Sequence, residues 1–406
     1  VGIDQHEVQS FLDGGHSLPW ALDSDHCDWQ AVVRTFAREV VEPGAAQRAA
    51  ERTFDPDLCR EAGKLGVFGL LAPTEYGGSN ADLRTLCVTV EEAAAVDVSF
   101  AATIHVQAMS VALLAHLAAD RPDLLAEVMP EAARGDAFIA FGLTESSGGS
   151  DTRNLHTQAW RDGSDWIISG SKEFISNSGT PFSRYVIVFA VTGENPDGRN
   201  EISTFLVPLD AKGVTVGSDY DKLGWRSADT HPVYLDEVRV PELAALGRPG
   251  QGLRAALSFV TWARIAIAAV GTGVTRGCLR HALELVGHRE VFGRPLTDFQ
   301  NTGFRLADLV SLASVARLLT YDAAWKRDRG LPIEREAATA KLVSSEAAND
   351  AAAIATQLGG ARGVVGGGIA ARAHQDARIL TVVEGTSEIQ RLLIARSLGL
   401  TARDGS

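Results

Sequence analysis

The order of textures along this chain, helical, then strand-rich, then helical again, restricts its fold more than any single residue does. Up to about residue 138 the apolar residues recur at helical spacing. Asp55-Pro56 sets a capping carboxylate before a proline at a first helical position, and Leu58, Ala62 and Leu65 carry the pattern to a stop near Gly69. Tyr76-Gly77-Gly78 reads as a loop, Leu86, Val90, Ala93 and Ala94 resume the helical period, and 106–117 form a further apolar run before Pro122 and Pro130. Between 139 and 247, short β-branched and aromatic runs take over at 158–160, 166–168, 185–189, 203–207, 214–216 and 233–235. Asp162-Gly163 and Ser169-Gly170 are turn signals between them. Runs this close together, without helical inserts, predict a compact antiparallel β domain rather than a Rossmann unit. No Gly-x-Gly-x-x-Gly opens a helix either. From 248 to 406, Pro295, Pro332 and the glycine-rich 359–368 divide four long helical segments, and stripes such as Ala340, Ala347 and Ala351 allow close helix approach. The expectation is an α+β chain of three units: an N-terminal helical domain (1–138), a middle antiparallel β domain (139–247) and a C-terminal four-helix bundle (248–406).

With 406 residues the chain exceeds what one hydrophobic core accommodates. A net charge of −13 without any Lys/Arg cluster argues against nucleic acid as a partner. The longest apolar stretches, such as 259–270, contain Arg264 and read as buried helix, too short to span a bilayer. No basic region precedes an apolar stretch at the start. Cys27, Cys59, Cys87 and Cys278 stand far apart and the ten histidines form no ligand cluster, which disfavours a disulfide scaffold or a metal site. The expectation is a soluble, cytoplasmic protein without a membrane partner.

Four segments carry candidate chemistry. In Val383-Glu384-Gly385-Thr386-Ser387-Glu388-Ile389-Gln390-Arg391, a carboxylate stands just ahead of a helix start among apolar neighbours, where a buried general base could sit. Thr386 or Ser387 can cap that helix, and Ser387 with Gln390 has capping-box spacing. The loop Phe141-Gly142-Leu143-Thr144-Glu145-Ser146-Ser147-Gly148-Gly149-Ser150 offers hydroxyls and open backbone N–H groups to a ligand. Trp166 to Asn177 reads as a hairpin turning at Ser169-Gly170, whose second strand points Phe174 and Ser176 the same way, a floor and a donor for a flat heterocycle. In Arg289-Glu290-Val291-Phe292-Gly293-Arg294-Pro295, Arg289 at a helix end could clamp a phosphate.

Together these motifs, in this order and over nearly the whole chain, resemble the acyl-CoA dehydrogenase family of FAD flavoproteins. Tyr76-Gly77-Gly78 and Asp236-Glu237-Val238-Arg239-Val240-Pro241 also look like family segments. The resemblance implies that Phe141, Leu143, Thr144 and Ser150 lie beside the flavin, Ser150 also near the thioester, with Phe174 packed on the ring and Ser176 near its N5. It implies that Arg289, Phe292 and Gln300 reach the FAD of a neighbouring subunit, that Gln357 and Gly360 lie over the adenine side, and that Thr386 and Glu388 lie at the adenosine or pyrophosphate. A homotetramer or dimer follows from that sharing. Glu384 would take the α-proton of an acyl thioester while the β-hydrogen leaves as hydride to the flavin, giving a trans-2-enoyl-CoA. Arg264, Val383 and Gly385 would line the substrate side, and electron-transfer flavoprotein would reoxidise the cofactor.

Departures from the family pattern bear on substrate. Val383 replaces a frequent aromatic residue beside the base, and Ser146 stands where proline is usual. Ala101 lacks the arginine by which glutaryl-type members hold a distal carboxylate, which disfavours a dicarboxylic substrate. An acyl group tethered to a carrier protein is the main alternative to CoA. A flavin oxidase or N-oxygenase on the same fold is disfavoured, because those generally lack the base that Glu384 supplies.

Overall fold

The computed structural model describes residues 20–196 and 198–400. Among the described residues, six α-helices form the N-terminal part: α1 (Ser24–Phe36), α2 (Glu42–Glu51), α3 (Pro56–Leu65), α4 (Leu83–Ala94), α5 (Val98–Leu117) and α6 (Pro122–Arg134). Asp55 caps α3 as its sequence suggests, accepting from the Asp57 and Leu58 N–H groups, and the helix stops at Gly66, three residues before the expected Gly69. Pro122 opens α6, and Pro130 is carried inside it.

The middle part is one eight-stranded sheet, with strands β1 (Phe138–Gly142), β2 (Gln158–Asp162), β3 (Asp165–Ser176), β4 (Ser183–Glu194), β5 (Asn200–Pro208), β6 (Val214–Val216), β7 (Thr230–Val240) and β8 (Ala245–Leu246). Its order is β6-β7-β3-β2-β4-β5-β8, with β1 beside β4. The sheet is not purely antiparallel as the sequence suggested: β1 runs parallel to β4, and β2 meets β4 in parallel at Gln158 and Val191. Residues 143–182 between β1 and β4, which include β2 and β3, supply the long connection that a parallel pair requires and a hairpin cannot.

The expected hairpin from Trp166 to Asn177 is also absent. β3 is a single strand, and the hairpin turn is Gly163-Ser164, between β2 and β3. Gly170 serves close approach instead of chain reversal: a Cβ there would meet Thr157 Oγ1 at 2.5 Å, and the β3–β7 register shifts beside it.

The C-terminal part holds α7 (Gly252–Gly287), a two-residue hairpin of β9 (Glu290–Val291) and β10 (Arg294–Pro295), α8 (Gln300–Asp328), α9 (Glu334–Gly359), α10 (Ile369–Leu380) and α11 (Ser387–Ser397). The expected fourth segment is thus broken in two. Glu384 at φ +52° and Gly385 at φ +88° form the turn ahead of α11, where the sequence placed a helix start. Contrary to the sequence estimate, α5 and α7 are long and apolar enough to cross a bilayer, yet 83% and 61% of their most apolar windows are buried within this fold.

One hydrophobic cluster runs through both helical parts and one face of the sheet; a second, including Trp166, Val188 and Phe205, fills the other face. At the contact between helical parts, Gly273 of α7 lies where a Cβ would meet the Glu91 carbonyl oxygen at 2.2 Å. Backbones that close bring charged side chains into the core. Glu91 of α4 accepts from Arg276 of α7, and from Arg317 Nε (3.4 Å) and the Tyr321 hydroxyl of α8. Glu92 accepts from Arg276 Nη1 (3.0 Å), Arg34 Nη2 (3.0 Å) and Gln30 Nε2 (2.6 Å).

The loop between β6 and β7 is tied to α10 by a titratable group. The Trp225 N–H donates to Asp376 Oδ1 at 2.6 Å, and burial pushes the Asp376 carboxyl from 3.8 up to about 7. The folded chain therefore holds this proton more tightly than the unfolded chain. The contribution is fully present below pH 3.8 and is lost as pH rises toward about 7. Asp376→Asn should accordingly raise the thermal midpoint at about pH 8, and the gap over the parent should close on acidification. Equal gaps at both ends of the range would show that this carboxyl does not drive the change.

Candidate active site

Eight non-glycine residues have positive φ among the described residues, and Phe174, Phe292 and Glu384 are three of them. Aromatic side chains rarely adopt this conformation, and such outliers persist where surrounding structure fixes them, frequently at functional sites.

Glu384 lies in the turn between α10 and α11. Three side chains hold the turn through its main chain. Arg264 Nε of α7 donates to the Glu384 carbonyl oxygen (3.3 Å), Lys341 Nζ of α9 donates to that of Gly385 (2.8 Å), and Gln390 Nε2 donates to both (3.1 and 2.8 Å). Burial pushes the Lys341 ammonium down to about 8 and lowers the Arg264 guanidinium, both effects opposed by the Glu384 charge. Thr386 is the N-cap of α11, accepting from the Ile389 N–H at 3.4 Å. The proposed capping box of Ser387 and Gln390 does not form: the Ser387 hydroxyl donates to Glu346 (2.9 Å), and Gln390 serves the turn. The Glu384 side chain is 24% exposed, more open than the buried base expected, and among the described residues its carboxylate accepts no hydrogen bond. Its nearest charged or ionisable partner is His105 Nε2, at 3.7 Å. The Glu384 N–H likewise has no acceptor among the described residues. Val383 packs partly against the main core.

A second group forms around β3. Phe174 is 63% exposed and stacks on Tyr220, with ring centroids 4.8 Å apart. The neighbouring Glu173 N–H donates to the Thr144 carbonyl oxygen (2.9 Å), and Ser176 Oγ lies 3.4 Å from Thr230 Oγ1. The loop after β1 is anchored by a buried ion pair that the sequence reading missed. Lys172 Nζ of β3 donates to Glu145 Oε1 (2.6 Å), and Glu145 also accepts from the His156 (2.6 Å) and Thr157 (3.0 Å) N–H groups. Burial pushes Lys172 down to about 8. Leu143 is buried, Ser150 is exposed, and Phe141 packs on Phe189 at 5.2 Å. Helix α5 joins this group to the first: Asn177 Nδ2, at the end of β3, donates to the Thr103 carbonyl oxygen (3.1 Å), two residues before His105.

A third group lies where β9 follows α7. Arg289 Nη1 donates to the Leu358 (3.3 Å) and Gly359 (3.4 Å) carbonyl oxygens, bringing Arg289 to the turn of Gln357 and Gly360. Phe292, at the tip of the β9–β10 hairpin, is 96% exposed, and Gln300 begins α8 on the surface. Glu388 lies in the first turn of α11, its carboxyl lowered by its own N–H and by Thr386. Among the described residues, no hydrogen bond or ring contact joins the Arg289 group to the β3 group.

These features fit a flavin. An exposed ring with hydroxyls nearby could take the isoalloxazine, and an arginine with a glycine turn and a helix N-terminus could take anionic and adenine portions. Lys341 and Gln390, missed as site residues, left a trace in the sequence: Lys341 interrupts the alanine stripe of α9, a cation on a face that is otherwise core.

Three family descriptions match in order: acyl-CoA dehydrogenase N-terminal domain (residues 23–136), middle domain (140–238) and C-terminal domain (250–399). An acyl-CoA dehydrogenase of Bacillus subtilis is 35% identical over 368 residues, covering 90% of this chain and 96% of the relative. Butyryl-CoA dehydrogenase from Megasphaera elsdenii superposes with a TM-score of 0.87 at 30% identity, covering 93% and 98% of the two chains. Glutaryl-CoA dehydrogenase from Mycobacterium smegmatis, in complex with FADH2, superposes with a TM-score of 0.88 at 29% identity, covering 97% and 99%. With the three matched domains and the helix, sheet and helix-bundle architecture, this chain belongs to the acyl-CoA dehydrogenase family of flavoprotein enzymes, which dehydrogenate acyl thioesters.

Proposed function

We propose that Glu384 is the general base that removes the α-proton of an acyl-CoA, the product being the trans-2-enoyl-CoA. The observation that carries this reading is the division of labour at the turn. Arg264, Lys341 and Gln390 hold its carbonyl groups, while the Glu384 carboxylate and N–H are both left for a ligand. A thioester α-proton is too weakly acidic to leave unaided. The Glu384 N–H can donate to the thioester oxygen, and the nearby Arg264 and Lys341 charges favour negative charge as it develops there. Bound FAD would accept the β-hydrogen as hydride.

Phe174, Ser176, Phe141, Leu143, Thr144 and Ser150 would hold the flavin end. Arg289, Phe292, Gln300, Gln357, Gly360, Thr386 and Glu388 would hold the adenosine and pyrophosphate end. The separation of the Arg289 group from β3 within one chain, and the nearly bare Phe292 ring, support a cofactor shared between copies in a homotetramer or dimer. Arg264, Val383 and Gly385 would bound the thioester. Ala101, fully buried on α5, offers no charge to a distal carboxylate, which favours a monocarboxylic acyl chain. The family resemblance supports electron-transfer flavoprotein as acceptor, and the four free cysteines support a reducing, cytoplasmic setting.

Anaerobic titration of the purified yellow protein with a series of acyl-CoAs tests the reading, with carrier-loaded acyl groups in parallel. Bleaching of the flavin by acyl-CoAs is expected. Bleaching by carrier-loaded groups alone would move the substrate to a carrier protein, and bleaching by neither would overturn the dehydrogenase assignment in favour of an oxidase or N-oxygenase.

A further inference from the structure

One side chain packed against the Glu384 turn is not explained by packing alone. His105 of α5 is 2% exposed, and among the described residues neither of its ring nitrogens has a hydrogen-bond partner. Leaving a buried polar group unpartnered is costly, yet the imidazole sits with Nε2 only 3.7 Å from Glu384 Oε1. The other charged groups facing the carboxylate are Arg264 from α7 and Lys341 from α9, and both donate to main-chain carbonyls. The backbone of the turn is therefore fixed from the C-terminal bundle, and orientation of the side chain is left to α5.

We propose that His105 is a positioning residue for the Glu384 carboxylate. In its Nε2–H tautomer it donates to Oε1 when the turn tightens around substrate, and holds the other carboxylate oxygen toward the α-carbon. The proposal rests on Glu384 being the base. It gives α5 two coupled tasks, because the same helix accepts from Asn177 at the end of β3, two residues before His105. The strand carrying Phe174 and Ser176 and the orientation of the base then share one support. A misplacement of about 1 Å in such a constellation costs on the order of 10²-fold in rate.

The test compares His105→Leu, which fills the space without a donor, with His105→Gln, which keeps one, in the FAD-loaded protein under anaerobic conditions. His105→Leu should slow flavin reduction by about 10- to 100-fold at saturating acyl-CoA while KM changes only a few-fold, and His105→Gln should recover most of the rate. If His105→Leu does not fold, His105→Ala replaces it. Independently of turnover, selective 15N-histidine labelling should show one imidazole fixed as the Nε2–H tautomer. A parent-like rate in His105→Leu, equal losses in the Leu and Gln variants, or a loss confined to KM would each overturn the proposal. Glu384→Gln, run alongside, separates the two readings: if it reduces flavin like the parent, the base assignment itself fails. If Glu384→Gln is inactive while His105→Leu is unaffected, only the role of His105 fails.

Discussion

Replacing Glu384 by Gln should leave a yellow, folded protein whose flavin is reduced by acyl-CoA at least about 10²-fold more slowly, the lower end of what a general base contributes. The amide has nearly the same shape and keeps the same left-handed turn. The donors to that turn come from Arg264, Lys341 and Gln390 and end on main-chain oxygens, so the substitution removes none of them. What the amide cannot do is accept the α-proton. The informative measurement is single-turnover flavin bleaching at saturating substrate, because it reports the chemical step without reoxidation by the acceptor. A variant that bleached at the parent rate would place the base elsewhere in the pocket.

The second large effect concerns stability. Replacing Glu91 by Ala should cost about 3–5 kcal/mol, the range for removing one member of a buried ion pair. Glu91 is fully buried and receives groups from α7 and α8 together, so its loss removes the carboxylate that Arg276 and Arg317 share, although Arg276 keeps Glu92. The Tyr321 hydroxyl loses its acceptor as well. Urea unfolding of the FAD-loaded protein followed by far-UV circular dichroism gives the shift. A change below about 1 kcal/mol would show that the cluster relaxes around the gap, as surface pairs do.

Which features were legible in the sequence follows from how local their causes are. The Asp55-Pro56 helix start and the strand at 214–216 depend on neighbouring residues and read correctly. The candidate site segments stood out because each carries unusual local chemistry: the arginine at a helix end, the aromatic beside a hydroxyl, the carboxylate ahead of a cap. What failed depended on residues distant in sequence. Gly170 signalled a turn, and only the approach of Thr157 shows that it marks a bulge within one strand. Gln390 had capping-box spacing, but two carbonyl oxygens in the turn compete for its amide and win. His105 and Lys341 looked like helix residues among many, since nothing near them in sequence indicates that three helices and a turn converge there. The parallel pairing of β1 with β4 was hidden because a run of alternating residues does not encode the direction of its partner.

The left-handed backbone of Glu384 implies a conflict between durability and use. That conformation costs a residue with a side chain roughly 1–2 kcal/mol, and glycine is nearly exempt. Glu384→Gly should therefore melt at a higher temperature than the parent while reducing no flavin, and a lower melting point would mean that the carboxylate itself holds the turn together. A lineage selected only for persistence would discard this side chain. The strain held at this one backbone angle is what the fold gives up for the proposed reaction.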